Sequence, residues 1–123
     1  MISVIVNREG NRICAIYANG HAGFADSGYD IICSGVSTLL FTAANALEDI
    51  CGYDGESFFR VSGKGTEDVN LRITVPDIGD DETKNRAQVI MRTCELGLIG
   101  IARDYNDSKK KYVEIINSKT PEV

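Results

Sequence analysis

The chain has 123 residues, of which 43% are hydrophobic, and a formal net charge of −5. This length supports one hydrophobic core, so we predict a single domain over residues 1–116 with a short tail over 117–123. An acidic balance argues against a protein that binds a nucleic-acid backbone, because such proteins normally carry a basic face. No apolar run approaches the roughly 18 residues of a membrane span. The N-terminus lacks the basic region and cleavage site of a signal peptide, so we expect a cytoplasmic protein.

The first part of the chain predicts a β-hairpin followed by a long loop. Apolar residues alternate from Ile2 to Val6, and Ile13 to Ala18 is predicted as the partner strand across a turn at residues 8–11. The dipeptide Asn19-Gly20 is predicted to end that second strand just before the only histidine, His21. No period is visible from Ala22 to Ile32, which predicts a loop that is mobile without substrate and closes over it.

The remaining chain predicts two helices and three further strands. Apolar residues at helical spacing predict a first helix from about Cys33 to Ile50, which Gly52 ends. The other predicted elements are strands at Ser57–Ser62 and Val69–Val75 around a turn at 63–66, a helix from the acidic run 80–83 to about Asp104, and a strand at Tyr112–Ile116. The order ββαββαβ predicts an α+β domain with two helices packed on a largely antiparallel sheet.

The cysteines indicate neither a disulfide framework nor a metal site. They are Cys14, Cys33, Cys51 and Cys94, and no two have the CxxC spacing of a redox or zinc pair. With one histidine in the chain, we predict no metal and no cofactor. Cys14 and Cys94 are predicted in the core, and Cys51 is predicted to be inert.

Cys33 and His21 offer the parts of a nucleophilic site. A thiol at a helix N-terminus has a lowered pKa, and the amides of Cys33 and Ser34 could hold the oxyanion of a tetrahedral intermediate. His21 would be the base that titrates near neutral pH. Asp30 is the nearest candidate to orient the imidazole or the loop, and Ser37 lies on the cysteine's side of the helix.

The same residues have structural interpretations, which the spacing alone leaves open. Cys33 could be a small buried residue, and His21 a surface or capping residue. Asp30 suits an N-cap, and Ser37 could bond only to its own backbone. A non-catalytic binding module is therefore an alternative. A thiol oxidoreductase is a weaker one, because no resolving cysteine lies near Cys33 in the sequence.

The stretch from Gly20 to Ser37 resembles the signature of the ribosomal-processing cysteine protease family. In that signature a Gly-His-Ala is followed, after a glycine-containing spacer, by a cysteine, two small residues, valine and serine. Here Gly20-His21-Ala22 leads through residues 28–32 to the run Cys33-Ser34-Gly35-Val36-Ser37. Serine stands at position 34, where the family often has alanine.

The resemblance implies a small cytoplasmic homodimeric endopeptidase. Its substrate would be the N-terminal extension of large-subunit ribosomal protein twenty-seven, removed during ribosome maturation, and an apolar groove beside the loop would receive the peptide. By position, Cys33 would be the nucleophile and His21 the general base, with Gly20, Asp30 and Ser37 in supporting roles. The rival hypothesis is a ribosome-associated binding module without catalysis.

Overall fold

A computed structural model of the protein describes residues 1–21, 27–62 and 68–119, and of residues 21, 27–30, 68 and 69 it describes the backbone alone. The elements in chain order are β1 (Ile2–Glu9), β2 (Arg12–His21), α1 (Ser27–Cys51), α2 (Gly55–Phe58), β3 (Phe59–Ser62), β4 (Asp68–Thr74), α3 (Asp81–Tyr105) and β5 (Val113–Ser118). This order confirms the predicted ββαββαβ pattern and adds the one-turn helix α2.

The strands form one sheet of five, in the order β3-β4-β2-β1-β5. The pairs β1–β2, β2–β4 and β3–β4 are antiparallel, whereas β1 and β5 are parallel. Helices α1 and α3 pack on each other, α1 also contacts β4, and α3 contacts β2 and β5. The predicted α+β architecture, two long helices on a largely antiparallel sheet, is confirmed.

The core lies between the sheet and the two long helices. In a strand, alternate side chains point to the same face, so one set of residues from β1 is buried together. Fully buried side chains come from both strands and helices: Ile2, Val4, Val6, Ile16, Ile32, Val36, Leu40, Leu47, Ile73, Met91, Leu98 and Val113. Burial of this apolar surface, at about 25 cal/mol per Å², is the main force that holds the helices on the sheet.

Strand β2 is longer than the sequence predicts. Asn19 pairs with Ser3 of β1 and with Asn70 of β4, and Gly20 is likewise paired on both sides. The prediction that Asn19-Gly20 ends the strand is therefore wrong. Pairing with two neighbouring strands outweighs the turn preference of the dipeptide, as tertiary context commonly does in central strands.

Helix α1 begins at Ser27, six residues before the predicted start at Cys33. Residues 27–32 of the predicted loop are thus helical, and the rest of that loop, residues 22–26, lies outside the described residues. The C-terminal end agrees with the prediction: Gly52 follows the helix with a φ of 74°, a conformation that glycine adopts without strain. Its amide donates to the carbonyl of Glu48 at 3.0 Å.

Three further boundaries differ in detail. Asp54 caps α2 by accepting from the amide of Glu56 at 3.1 Å, so β3 begins at Phe59 and not at Ser57. The last strand continues to Ser118, which pairs with Asn7, so residues 117 and 118 do not belong to a tail. The predicted turn at 63–66 lies outside the described residues. The acidic start of α3 is as predicted, because Asp80 accepts from the amide of Thr83 at 2.8 Å.

The segment Ile31–Cys51 of α1 is long and apolar enough, by length and composition, to cross a membrane. The sequence has no uninterrupted apolar run of this length. Small polar residues such as Ser34 and Thr38 interrupt the run but lower its mean hydropathy only slightly. Core helices of water-exposed proteins have the same composition, and α1 packs against α3 and β4.

Candidate active site

The end of β2 holds the backbone of His21 between two neighbouring strands. His21 pairs with Asp68 of β4, and Gly20 pairs with Ile2 of β1. The approach at Gly20 is close, because a Cβ there would lie 2.7 Å from the Cα of Ile2 and 2.8 Å from the carbonyl oxygen of Met1. Only glycine fits that contact. The start of β1 therefore sets the position of the residue that precedes His21.

Cys33 lies on the side of α1 that faces the core. It is 8% exposed and belongs to the buried cluster with its neighbours Ile32 and Val36. Ser37 is four residues further along, which places it on the same side of the helix, and it is half-buried. Ser34 is exposed. The predicted proximity of Cys33 and Ser37 along one face is thus present.

The predicted position of Cys33 at the N-terminus of the first helix is wrong, because α1 begins at Ser27. The first four amides of a helix lack intrahelical partners, and these belong here to residues 27–30. The amides of Cys33 and Ser34 lie further inside, where helical geometry directs them to the carbonyls of residues 29 and 30. The dipole effect also falls off within the first turn, so it acts only weakly on Cys33.

Chain length sets an upper limit on the distance between the backbones of His21 and Cys33. Five residues lie between His21 and the first residue of α1, Ser27, and the six Cα–Cα steps span at most about 20 Å. Cys33 lies about 9 Å further along the helix. The imidazole of His21 and the carboxyl group of Asp30 lie outside the described residues. The Cys–His dyad and the role of Asp30 therefore stay predictions.

An exposed apolar residue near Cys33 was missed by sequence reasoning. Ile31 is 61% exposed, two residues before Cys33, and it adds apolar surface beside the predicted nucleophile. The signal was available, because Ile31 lies off the helical period that Ile32, Val36 and Leu40 follow. Because periodicity predicts a helix that begins at about Cys33, the sequence assigns Ile31 to the preceding loop.

Cys51 and Cys94 are poorly suited to nucleophilic chemistry. Burial raises the pKa of Cys94 to about 12, and its thiol donates to the carbonyl of Leu39 at 3.6 Å. Burial also raises the pKa of Cys51. Because the thiolate is the nucleophile, both thiols are poorly reactive at neutral pH.

Cys14 corrects one prediction. It is half-buried and not part of the core, and it accepts a hydrogen bond from Arg12 Nη1 at 3.2 Å. It lies at the register shift between β1 and β2, an irregularity that displaces it from the buried face. Cys94 is buried, as predicted. In the described part of the chain, no three His, Cys, Asp or Glu side chains are grouped as metal ligands.

Comparisons with known proteins agree with the motif. The model of a family described as cysteine protease Prp matches residues 1–110. The ribosomal processing cysteine protease Prp of Bacillus subtilis is 28% identical over 117 residues, which cover 94% of this chain and all of the relative. Its Staphylococcus aureus counterpart is also 28% identical, over 87% of this chain and 92% of the relative.

Solved structures have the same fold. SMU.848 from Streptococcus mutans superposes with a TM-score of 0.71 at 24% identity, covering 96% of this chain and 94% of that one. The S. aureus protease in complex with a covalently linked product peptide superposes with a TM-score of 0.68 at 25% identity, covering 96% of this chain and all of that one.

Proposed function

Because the chain belongs to the cysteine protease Prp family, we propose that it is an endopeptidase in which Cys33 is the nucleophile and His21 the general base. The observation that carries the proposal is the placement of Cys33, on the inner side of α1, just after the strand that ends at His21. Burial raises the pKa of the Cys51 and Cys94 thiols, which argues against either of them as the nucleophile.

The proposed reaction is acyl transfer through a thioester. His21 takes the proton of the Cys33 thiol, and the sulfur attacks the scissile carbonyl carbon. When the tetrahedral intermediate collapses, the C–N bond breaks and His21 protonates the leaving amine. Water then attacks the thioester carbonyl, with His21 taking its proton. The C–S bond breaks, the peptide leaves as a carboxylic acid, and His21 returns the proton to the sulfur of Cys33. Since the helix dipole acts weakly at Cys33, this proposal makes His21 the main activator of the thiol.

Binding of the oxyanion requires a local change in α1. We keep the amides of Cys33 and Ser34 as the proposed donors, but in an intact helix both are directed to carbonyls one turn back. Opening of the turns at residues 27–32 when the peptide binds would free them. Asp30 is in this segment, so its proposed role is to support the opened conformation. Ser37 lies beyond the segment and would shape the site from the intact part of the helix.

The proposed substrate is the N-terminal extension of a ribosomal protein, large-subunit protein twenty-seven. The names of the B. subtilis and S. aureus relatives support a ribosomal protein, and the product peptide bound to the S. aureus structure supports a peptide ligand. The exposed side chain of Ile31 offers apolar surface for residues of the peptide next to the scissile bond. We further propose a cytoplasmic homodimer without direct nucleic-acid contacts, in agreement with the acidic net charge.

Incubation with the extended ribosomal protein, read by mass spectrometry, tests the function. The wild-type chain should release one N-terminal peptide, and Cys33→Ala should release none. Cys51→Ala is the matched control, because it removes another thiol of the same helix and should cleave normally. Cleavage by the Cys33→Ala variant would refute the assignment of the nucleophile.

The non-catalytic binding module is tested by alkylation of Cys33 at a series of pH values. An activated thiol should react with an apparent pKa well below the ordinary 8.5. In the His21→Ala variant that apparent pKa should return towards 8.5. A value near 8.5 in both proteins, together with binding of the ribosomal protein but no cleavage, would establish the binding module.

A further inference from the structure

Asn106 joins the end of α3 to the start of β5. Its backbone amide donates to the carbonyl of Ala102 at 3.0 Å, which completes the last turn of α3. Its side chain bonds to β5: Oδ1 accepts from the amides of Tyr112 and Val113 at 2.8 and 3.2 Å, and Nδ2 donates to the carbonyl of Val113 at 2.8 Å. The side-chain amide thus pairs with both backbone groups of Val113, as a residue of a neighbouring strand would.

The start of β5 in turn determines where β1 begins. The carbonyl of Tyr112 accepts from the amide of Ile2 at 2.8 Å. On its other side Ile2 lies against Gly20, where nearby backbone atoms leave no room for a Cβ. Gly20 is the residue before His21. A run of contacts between backbone atoms therefore connects the start of β5 to His21.

The same end of α3 also contacts the helix that carries Cys33. A Cβ at Gly35 would lie 3.2 Å from Cδ1 of Ile101, so α1 and α3 approach closely at this point. Gly35 is two residues after Cys33. Ile101 lies next to Ala102, which accepts the amide of Asn106. The C-terminal end of α3 is therefore in contact with α1 beside the predicted nucleophile and is connected, through β5 and β1, to the strand that ends at the predicted base.

We propose that Asn106 is a positioning residue for the reaction of the proposed function, on which this role rests. By tying the end of α3 to β5, Asn106 fixes where the backbone of His21 lies relative to the turn of α1 that carries Cys33. Two catalytic side chains on different elements must be held within about 0.5 Å of their productive geometry. Asn106 contributes to that precision through Tyr112 and Ile2.

Removal of the Asn106 side chain would leave the start of β5 held less firmly. In the described sheet β5 is an edge strand paired with β1, and a groove of about 590 Å³ between β5 and the end of α3 is lined by Asn106 and Val113 among others. Water can replace the lost hydrogen bonds, but it does not fix the distance between α3 and β5. Asn106 has a φ of −70° and a ψ of 143°, which alanine adopts without strain. Asn106→Ala therefore removes the side-chain bonds alone.

Cleavage of the extended ribosomal protein by Asn106→Ala and Asn106→Asp, at a temperature where both variants are folded, is the first test. Asn106→Ala should lower kcat about 10- to 50-fold and change KM less than about twofold, because a displaced base slows the chemical step and leaves binding intact. Asn106→Asp keeps an acceptor for the two amides and should lower kcat less than about fivefold. In Asn106→Ala the apparent pKa for alkylation of Cys33 should also rise towards 8.5, since the thiol loses its activating partner.

Arg8→Met is the matched control for lost stability. Arg8 links the same three elements, because it lies in β1 and donates to Glu95 of α3 at 2.7 Å and to Asn117 of β5 at 2.8 Å. It is six residues from Ile2, about 20 Å along the strand and away from the end at His21. Arg8→Met should be less stable than the wild type but keep its kcat and its pKa for alkylation of Cys33.

A double variant tests the route through β1. If Asn106 and Gly20 act on the same contact, Asn106→Ala combined with Gly20→Ala should lower kcat at least about threefold less than the product of the two single effects. Wild-type kcat or an unchanged alkylation pKa in Asn106→Ala, an equal loss of kcat in Arg8→Met, or a double variant that shows the full product would overturn the proposal. A wild-type chain that cleaves no ribosomal protein would contradict the proposed substrate instead, and alkylation of Cys33 would still decide the role of Asn106.

Discussion

The close contact at Gly20 allows a sharp test of how the sheet positions His21. In Gly20→Ala, the new methyl group would lie 2.7 Å from the Cα of Ile2. Carbon atoms prefer about 3.5 Å or more, so β1 and β2 must separate by about 0.8 Å at this point. The Cα of Ile2 and the carbonyl oxygen of Met1, which would lie 2.8 Å from the methyl group, are backbone atoms and cannot rotate away as a side chain would. Overpacking of this kind costs about 1–3 kcal/mol of folding free energy.

The displacement should also reach the catalytic step, because His21 is the next residue. A misplacement of about 1 Å at a reacting group can lower the rate about 100-fold, so we expect kcat/KM for an extended ribosomal-protein peptide to fall about 10- to 100-fold. Denaturant unfolding and peptide cleavage measure the two effects. Asn19→Ala, at the exposed neighbouring position, is the control and should change neither. Normal cleavage by a destabilised Gly20→Ala protein would refute the positioning role of Gly20, and wild-type stability would refute the close contact.

Two further predictions concern buried groups. Glu95 is 2% exposed. Burial by itself raises its pKa, but hydrogen bonds from Arg8 and Arg92 outweigh this and hold the pKa below the usual value. Arg8→Met should therefore lower the free energy of unfolding at pH 7 by about 3 kcal/mol, and the exposed Arg103→Met by less than about 0.5 kcal/mol. Because the folded state favours the Glu95 carboxylate, its contribution to stability is fully present above the unfolded pKa of about 4.3. That contribution is lost as the pH falls through the pKa of the folded state. If Arg8→Met lowered the free energy of unfolding equally at pH 7 and pH 3, this account would be contradicted. Burial raises the pKa of Cys94 to about 12, so its thiol should resist alkylation in the native protein at pH 8 and react only in denaturant. Rapid labelling followed by peptide mass mapping measures this reaction. Labelling of Cys94 in the native protein would disprove its burial.

The element order and the core were predictable because they depend on regular patterns. Alternation in β1 and β4 and helical spacing in the two long helices are visible in the residues themselves. The capping residue Asp80 and the terminating Gly52 also have local signals, and both are where the sequence predicts them. These features require no knowledge of which elements become neighbours.

The differences occur where tertiary contacts decide. Asn19-Gly20 has the local chemistry of a turn, yet β1 and β4 flank it, and the missing side chain of Gly20 serves close packing. The first turns of α1 contain Gly28 and polar residues, which weaken the helical pattern before Ile31. The start of the helix, and with it the environment of Cys33, could not be located from periodicity. For the site itself, the motif identified the residues, but the spacing could not distinguish a helix start from a helix interior.

The parallel pairing of β1 with β5 determines when the sheet can be completed during synthesis. The amide of Ile2 donates to the carbonyl of Tyr112 at 2.8 Å, and the pairing continues to Asn7 and Ser118. Contacts between residues more than 100 positions apart form slowly. During synthesis the hairpin of β1 and β2 also emerges long before β5, the strand that pairs with the other side of β1. Until then one edge of β1 is unpaired and open to other strands. The nascent chain therefore stays prone to aggregation until β5 has been synthesised, and a chain that stops before Val113 would keep this edge exposed.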